Sequence, residues 1–251
     1  MKVDVNCDFT LDTPNFWDNY WDGDCVLGKS AVDPDFFSRK LFELHKEIYS
    51  RELPNGAISK IEYSQKHNCL IWDDFRFGND SIATSFRNKN NRMLITNVAK
   101  ELDNYQKFVE HYVHTSYTLG GEIIFPKRKN SINQARGCNR FIRDRWDLTL
   151  ECIRLYYDGI ESPLFSTLDA NKNFFDLFVD FKGYIDFFFL QDYVSEDCKS
   201  VNIILGEKNF AANPVPKTVE EYIYWMKKQE ELIDKRNQRI QNFFSDKNPT
   251  R

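Results

Sequence analysis

Seven cationic side chains crowd one short stretch of this chain. Lys127, Arg128, Lys129, Arg136, Arg140, Arg143 and Arg145 face only Asp144, a net +6. The full chain of 251 residues carries −4, so everything outside that stretch stands at −10. Guanidinium forks clamp phosphate oxygens bidentately and ammonium groups add point charge. A basic segment on an acidic body therefore predicts an anion site. Ser131, Asn133, Gln134 and Asn139 lie among the cations and suit a sugar or a base edge. Gly137 permits close backbone approach to a phosphate. The expected phosphate-contacting set is Lys127, Arg128, Lys129, Asn133, Arg136, Arg140 and Arg143. A second reading fits the same charge. Residues 1–35 carry eight aspartates against Lys2 and Lys29, so the basic segment could dock this acidic arm, or a protein partner. Neither G-x-x-x-x-G-K-[ST] nor G-x-G-x-x-G occurs in the basic segment.

Other residue sets offer less. Arg143, Asp147, Glu151 and Arg154 share one helical face by steps of four, four and three. Two carboxylates so placed can hold a divalent cation or work as an acid/base pair. With an arginine at each end, the same face reads better as a salt-bridge ladder. His111 and His114 are three apart and miss the four-residue ligand step of H-E-x-x-H. His114, beside Thr115 and Ser116, is conceivable as a base. Asp18 and Asp22 resemble a calcium loop only in part: Tyr20 takes the third ligand position and Lys29 the twelfth, so no metal set is expected. Six cysteines, at 7, 25, 69, 138, 152 and 198, form no C-x-x-C pair and read as reduced cytosolic thiols, with Cys138 and Cys152 the candidates for a reactive one. Trp17, Tyr20 and Trp21 follow no period, which suits either a ligand-facing cluster or an anchor for the arm. Catalytic residues and cofactors are not legible.

These residues sit on a recognisable alternation of elements. Asp33-Pro34 starts a helix whose apolar stripe is Phe37, Leu41, Leu44 and Ile48, ending before Pro54-Asn55-Gly56. Short strands are expected around residues 58–63, 70–72 and 82–86, and a helix over about 97–112. Residues 116–125 read as a strand with Gly120-Gly121 at a bulge or a close backbone contact. Ile142, Trp146, Leu150, Ile153 and Tyr157 stripe a helix that ends at Asp158-Gly159, and Ser162-Pro163 opens another. Phe174, Phe178, Phe181, Ile185 and Phe188 step as a buried helix does, with Gly183 a kink point. A strand over 201–205 follows, then a capping box at Thr218 to Glu221 and a last helix to about Phe244. The expected fold class is α+β: a small N-terminal, mainly antiparallel sheet packed on a predominantly helical C-terminal half. One domain is expected over 1–251, with 1–35 an irregular acidic arm, 36–126 mixed helix and strand, and 127–251 mainly helical.

Hydrophobic residues at 41% and charged residues at 29% exclude wholesale disorder, and the −4 balance excludes a broadly basic coat protein. The N-terminus has no apolar signal region, and no uncharged stretch reaches the ~20 residues of a membrane helix. The expected location is the cytoplasm, without a membrane partner.

Four stretches carry a resemblance: Tyr117 to Pro126, Ser131 to Gly137, Asp144 to Arg154 and Phe174 to Phe189. Through them the chain resembles a family of uncharacterised bacterial proteins carrying a domain of unknown function. A looser likeness runs upstream through His45-Lys46 and Leu53 to Gly56. The resemblance implies a bacterial, cytosolic, single-domain protein and assigns no residue a role. Lys127 to Lys129 adds charge beside the second motif that is particular to this chain. The expected function is binding of a phosphate-bearing ligand, nucleotide or nucleic acid, with transferase or hydrolase chemistry open to it. The alternative is a non-enzymatic interaction protein in a toxin or phage-defence setting. The oligomeric state is not readable.

Overall fold

A computed structural model describes residues 3–22, 26–27, 33–127, 131–137, 141–208, 210 and 215–246. In chain order its elements are α1 (Phe16–Trp21), α2 (Pro34–Phe37), α3 (Arg39–Tyr49), β1 (Glu62–Ser64), β2 (Cys69–Trp72), β3 (Phe75–Ser81), α4 (Arg92–Glu101), α5 (Tyr105–Ser116), β4 (Glu122–Pro126), α6 (Ile132–Gly137), α7 (Trp146–Tyr157), α8 (Phe165–Asp169), α9 (Lys172–Phe175), α10 (Phe181–Phe188) and α11 (Val219–Asp246). This is an α+β chain with a four-stranded antiparallel sheet before residue 127 and a helical second half. It falls into two compact units. One gathers Met1–Leu41, Ser81–Glu122 and Val215–Arg251, and the other Phe42–Asp80 and Ile123–Pro214. None of the described helices is long and apolar enough to cross a membrane.

The first unit is organised by α11. Thr218 Oγ1 accepts from Glu221 N at 3.2 Å, the threonine half of the expected capping box, while the Glu221 carboxylate reaches one residue further back, to Lys217 N at 2.7 Å. Tyr222, Trp225, Met226, Leu232, Ile233 and Ile240 form its buried seam, which meets α4 and α5. Those two helices replace the single one expected over 97–112. The break falls at Asn104, whose φ of 61° is a left-handed conformation that Asn tolerates better than most residues. Asp33 does cap α2, with Pro34 in its first turn. The helix then stops at Ser38, whose hydroxyl donates to Asp12 (2.8 Å) and accepts from Leu41 N (3.1 Å), restarting the chain as α3. Phe37 consequently lies outside the apolar stripe and is half exposed.

Two expected strands are absent as strands. Residues 82–86 form none, and side chains take up the backbone at their centre, Thr84. Thr84 O accepts from Trp225 Nε1 (2.8 Å), Gln229 Nε2 (2.9 Å) and Tyr112 OH (3.0 Å), while Thr84 N donates to Gln229 Oε1 (3.1 Å). The true strand, β3, lies just upstream. In the second unit, residues 201–205 make only the Val194–Val201 bridge. Beyond it, Asn202 N donates to Tyr193 O at 2.8 Å, and Leu205 O and Ile204 N are taken by Arg145 and Asp147, described below. The strand expected from residue 116 begins only at Glu122, because α5 runs through Ser116 and a tight turn spans Leu119–Gly121.

In the second unit β1 pairs with β2 and β2 with β3, setting Ile71 opposite both Glu62 and Arg76. β4 lies beyond β3, and Lys127 N donates to Arg76 O at 2.6 Å. Phe77 of β3 meets Phe174 at 6.0 Å, and Phe125 of β4 meets Trp146 at 6.2 Å, so helices cover the sheet within this unit. The phenylalanine stripe is core, as its period predicts: Phe174, Phe178, Ile185 and Phe188 are all buried. It is not one helix. The break falls at Val179 rather than Gly183. Val179 holds φ 70° and ψ −54°, and Asp180 N donates to Phe178 O at 2.8 Å, a strained γ-turn. Gly183 instead gives clearance, since a Cβ there would lie 2.1 Å from Phe178 O.

Val179 is 64% exposed, so its side chain packs little while its backbone is strained. Left-handed strain of this kind costs about 1–3 kcal/mol, against about 0.5–1 kcal/mol of extra chain entropy lost by glycine. Val179→Gly is therefore expected to stabilise the protein by about 1 kcal/mol, read as a higher urea midpoint at unchanged slope. A lower midpoint would show that the turn is not strained.

Candidate functional site

The four described cations of the basic segment divide into two turned inward and two turned outward. Arg136, on α6, is 1% exposed. Its Nη1 donates to Asp80 Oδ2 at 2.6 Å, its Nη2 lies 3.0 Å from Asp144 Oδ1, and its Nε donates to Thr149 Oγ1 at 3.2 Å. One guanidinium thus ties the end of β3, α6 and the start of α7 together. Both of its carboxylates lie outside the 1–35 arm. Arg145 is also fully buried. It grips Asp147 through Nε–Oδ1 (3.0 Å) and Nη2–Oδ2 (2.5 Å), and Nη2 donates to Leu205 O at 3.0 Å. Asp147 Oδ2 further accepts from Ile204 N at 2.9 Å.

The expected ladder on α7 is present but internal. Arg145, rather than Arg143, pairs with Asp147. Glu151, 1% exposed, takes two bonds from Arg154 at 2.9 and 2.7 Å, plus an ion pair with Lys208. Each carboxylate already carries a cation, which is the arrangement of structural ion pairs and not of a metal-binding pair.

The outward part contains Lys127 and Arg143, both exposed. Lys127 Nζ reaches Asn68 O at 3.3 Å. Asn133 is half-buried and donates to Asn79 O at 3.4 Å, beside the Asp80–Arg136 pair. Arg128, Lys129 and Arg140 lie outside the described residues, as do Cys138 and Asn139. The sheet adds a residue that the sequence pattern does not disclose. Arg76 on β3 is exposed, pairs through its backbone with Lys127, and makes no side-chain hydrogen bond or ion pair among the described residues. Lys127 and Arg76 act on a common neighbour. Burial pushes the Cys69 thiol up, and both cations pull it back down. Placing a strand at 82–86 instead of Phe75–Ser81 hides this pairing.

The remaining candidates have structural settings. Asp12 and Asp35 of the arm bond the backbone of Lys40 and Ser81 at 2.9 Å each. Asp8 holds Thr10 N and pairs with His114 Nδ1, while Trp17 packs 4.9 Å from that imidazole. Arg87 lies 4.5 Å over Tyr20 and 4.6 Å over Trp21, and Trp21 Nε1 donates to Glu110 at 3.1 Å. The tryptophan–tyrosine cluster is therefore an anchor for the arm. Cys152 is buried, and burial pushes its thiol up to about 12, so it is not a thiolate nucleophile.

The four distinctive stretches now have positions: the Leu119–Gly121 turn with β4, α6 with Arg136, α7 with its buried carboxylates, and the phenylalanine core around Val179. No curated protein and no solved structure matches the chain. A family model does match, over residues 3–240, a span that takes in every one of these features, and the chain belongs to that family, DUF6994, a family of unknown function.

Proposed function

We propose that the protein binds a phosphate-bearing ligand, nucleotide or nucleic acid, at the outward cations of the Lys127–Arg145 segment. The observation that carries this reading is the division of the segment. Arg136 and Arg145 are held by Asp80, Asp144 and Asp147, while Lys127 and Arg143 are exposed and Arg76 lies beside Lys127. Exposed cations on separate segments suit an extended polyanion better than a mononucleotide gripped in a closed pocket. Ion pairs that anchor α6 hold the surface in a fixed shape, which lowers the cost of ordering it on binding. The setting is the cytoplasm of a bacterium, in keeping with the free thiols Cys7, Cys69, Cys152 and Cys198.

The test is a thermal-shift panel of nucleotides, with RNA and DNA titrations at two salt concentrations. A nucleic acid should lose affinity steeply with salt through counterion release. The Lys127→Ala/Arg143→Ala variant should fold normally and flatten the log–log slope by about 1.4–1.8. Arg136 is unsuitable as a probe because its loss strands two carboxylates. Absence of any ligand response at either salt concentration overturns the proposal in favour of a protein-interaction role.

A further inference from the structure

Gly78 stands in the interior of β3, where a glycine costs stability and leaves nothing to pack. The missing side chain therefore needs a reason, and the other glycines have one. Gly56, Gly159 and Gly206 hold φ of 83°, 69° and 68°. Gly120, Gly121 and Gly183 lie where a Cβ would come within 2.3 Å of a backbone oxygen. Gly78 is not among the glycines of positive φ, and among the described residues a Cβ there would meet only Lys127 Cδ at 3.8 Å, an ordinary contact. Neither backbone conformation nor crowding asks for glycine here. The remaining use of a strand glycine is to let a ligand come close to the backbone.

The surroundings say which chemistry approaches. Strand side chains alternate, so Arg76, Gly78 and Asp80 share one face of the sheet, opposite the buried Phe77 and Asn79. Ile71 faces Arg76 across β2, which puts Cys69 on the same face. Arg76 is exposed, and the stem of Lys127 runs past Gly78. Both cations act on the Cys69 thiol, so their charges converge on this part of the sheet. The nearby carboxylates do not oppose an anion. Asp80 is held by Arg136 at 2.6 Å, and Glu62 lies beyond Ile71 on β1. A guanidinium fork grips two phosphate oxygens at once, and a strand position without a Cβ lets the phosphate lie against the sheet while it is gripped. We infer that Gly78 is the floor of a phosphate seat and that Arg76 is the fork that holds the phosphate there. This rests on the anion site proposed above and adds the residues of the sheet that place the phosphate.

The experiment uses the full chain and four probes: inorganic tripolyphosphate, ATP, a 12-mer single strand and a blunt duplex. Gly78→Val fills the seat with a side chain that strands favour, so it should fold. It is expected to weaken every probe that wild type binds by about tenfold or more, the loss of one or two charge-assisted hydrogen bonds. Gly78→Ala should fall between the two. Arg76→Ala should weaken the same probes and, where these are nucleic acids, flatten the log–log salt slope by about 0.7–0.9. Arg76→Lys should keep that slope without recovering the affinity, since it keeps the charge and loses the fork. Sensitivity of tripolyphosphate and ATP supports a seat for a terminal phosphate, and sensitivity of the strands alone supports a seat for a phosphodiester. Wild-type affinity in Gly78→Val or in Arg76→Ala overturns the seat while the anion site survives. Failure of all four probes to bind wild type overturns both. Should Gly78→Val lower the melting temperature, Gly78→Ala decides, because its one methyl makes only an ordinary contact.

Discussion

Gly121→Ala is expected to unfold the protein or reduce it to a marginally stable state. A Cβ on Gly121 would lie 1.8 Å from Ser116 O and 2.7 Å from the Ser116 carbonyl carbon. Both are backbone atoms at the end of α5, so no side chain can swing aside. The backbone of Gly121 is pinned as well: its N donates to Thr118 O and its O accepts from Ile82 N, both at 2.9 Å. Gly120 is hemmed in by α11, where a Cβ would meet Ile233 O at 2.3 Å. Gly120 N donates to Asn237 Oδ1 at 2.6 Å, and the buried Arg236 donates to Gly120 O (2.8 Å) and Glu122 O (2.7 Å). Moving residue 121 away from Ser116 therefore disturbs both the β4 junction and the polar bonds of α11. Overpacking commonly costs about 1–3 kcal/mol where side chains can adjust, and losses above about 4 kcal/mol are exceptional. With only backbone available to yield, the expected loss falls in that exceptional class, against a typical total stability of about 5–15 kcal/mol. Urea denaturation followed by circular dichroism checks it. Gly78→Ala is the control, because its nearest neighbour would be the flexible Lys127 side chain at 3.8 Å. A Gly121→Ala protein that melts with wild type would show that this turn is not closed.

The same junction shows what a sequence can and cannot disclose. Helix periodicity is readable where an apolar stripe is buried, as in α3 and in α11, whose seam meets α4 and α5. The close contact at Gly120-Gly121 is readable because two adjacent residues without a Cβ, set before a β-rich run, leave room for backbone to approach backbone. Two failures share one cause. Residues 82–86 and 201–205 have the apolar texture of strands, but Gln229, Trp225, Arg145 and Asp147 take the backbone bonds that a neighbouring strand would have made. A local pattern reports that backbone is buried and satisfied, not by what. The candidate site is half legible for a related reason. Charge density locates the segment, but charge density does not tell a buried guanidinium from an exposed one. Arg136 and Arg145 turn inward because Asp80 and Asp147 await them, and Asp80 is remote in sequence. Arg76 can be placed beside Lys127 only once the register of β3 and β4 is known.

Asp147→Ala is expected to cost about 3–5 kcal/mol, the effect of stranding one partner of a buried ion pair. Arg145 and Asp147 are both 0% exposed, so neither charge can fall back on water. Removing the carboxylate leaves the guanidinium with Leu205 O as a hydrogen-bond acceptor and also orphans Ile204 N. Asp147→Asn should recover only part of the loss, because a neutral amide keeps one acceptor oxygen in place of two and cannot compensate the charge. Arg145→Met with Asp147→Leu removes both charges together and should fall well short of the sum of the single losses. The difference, measured as a double-mutant cycle, is the coupling of the pair. This cycle also separates the two readings of the α7 carboxylates. A structural pair predicts loss of stability with no response to divalent cations in wild type. A metal-binding pair predicts that Mg2+ or Ca2+ raises the wild-type melting temperature and that Asp147→Asn abolishes the rise while keeping most of the stability. The bidentate arginine on Asp147 and the arginine and lysine on Glu151 favour the first outcome, since a divalent ion would have to displace cations already held in contact.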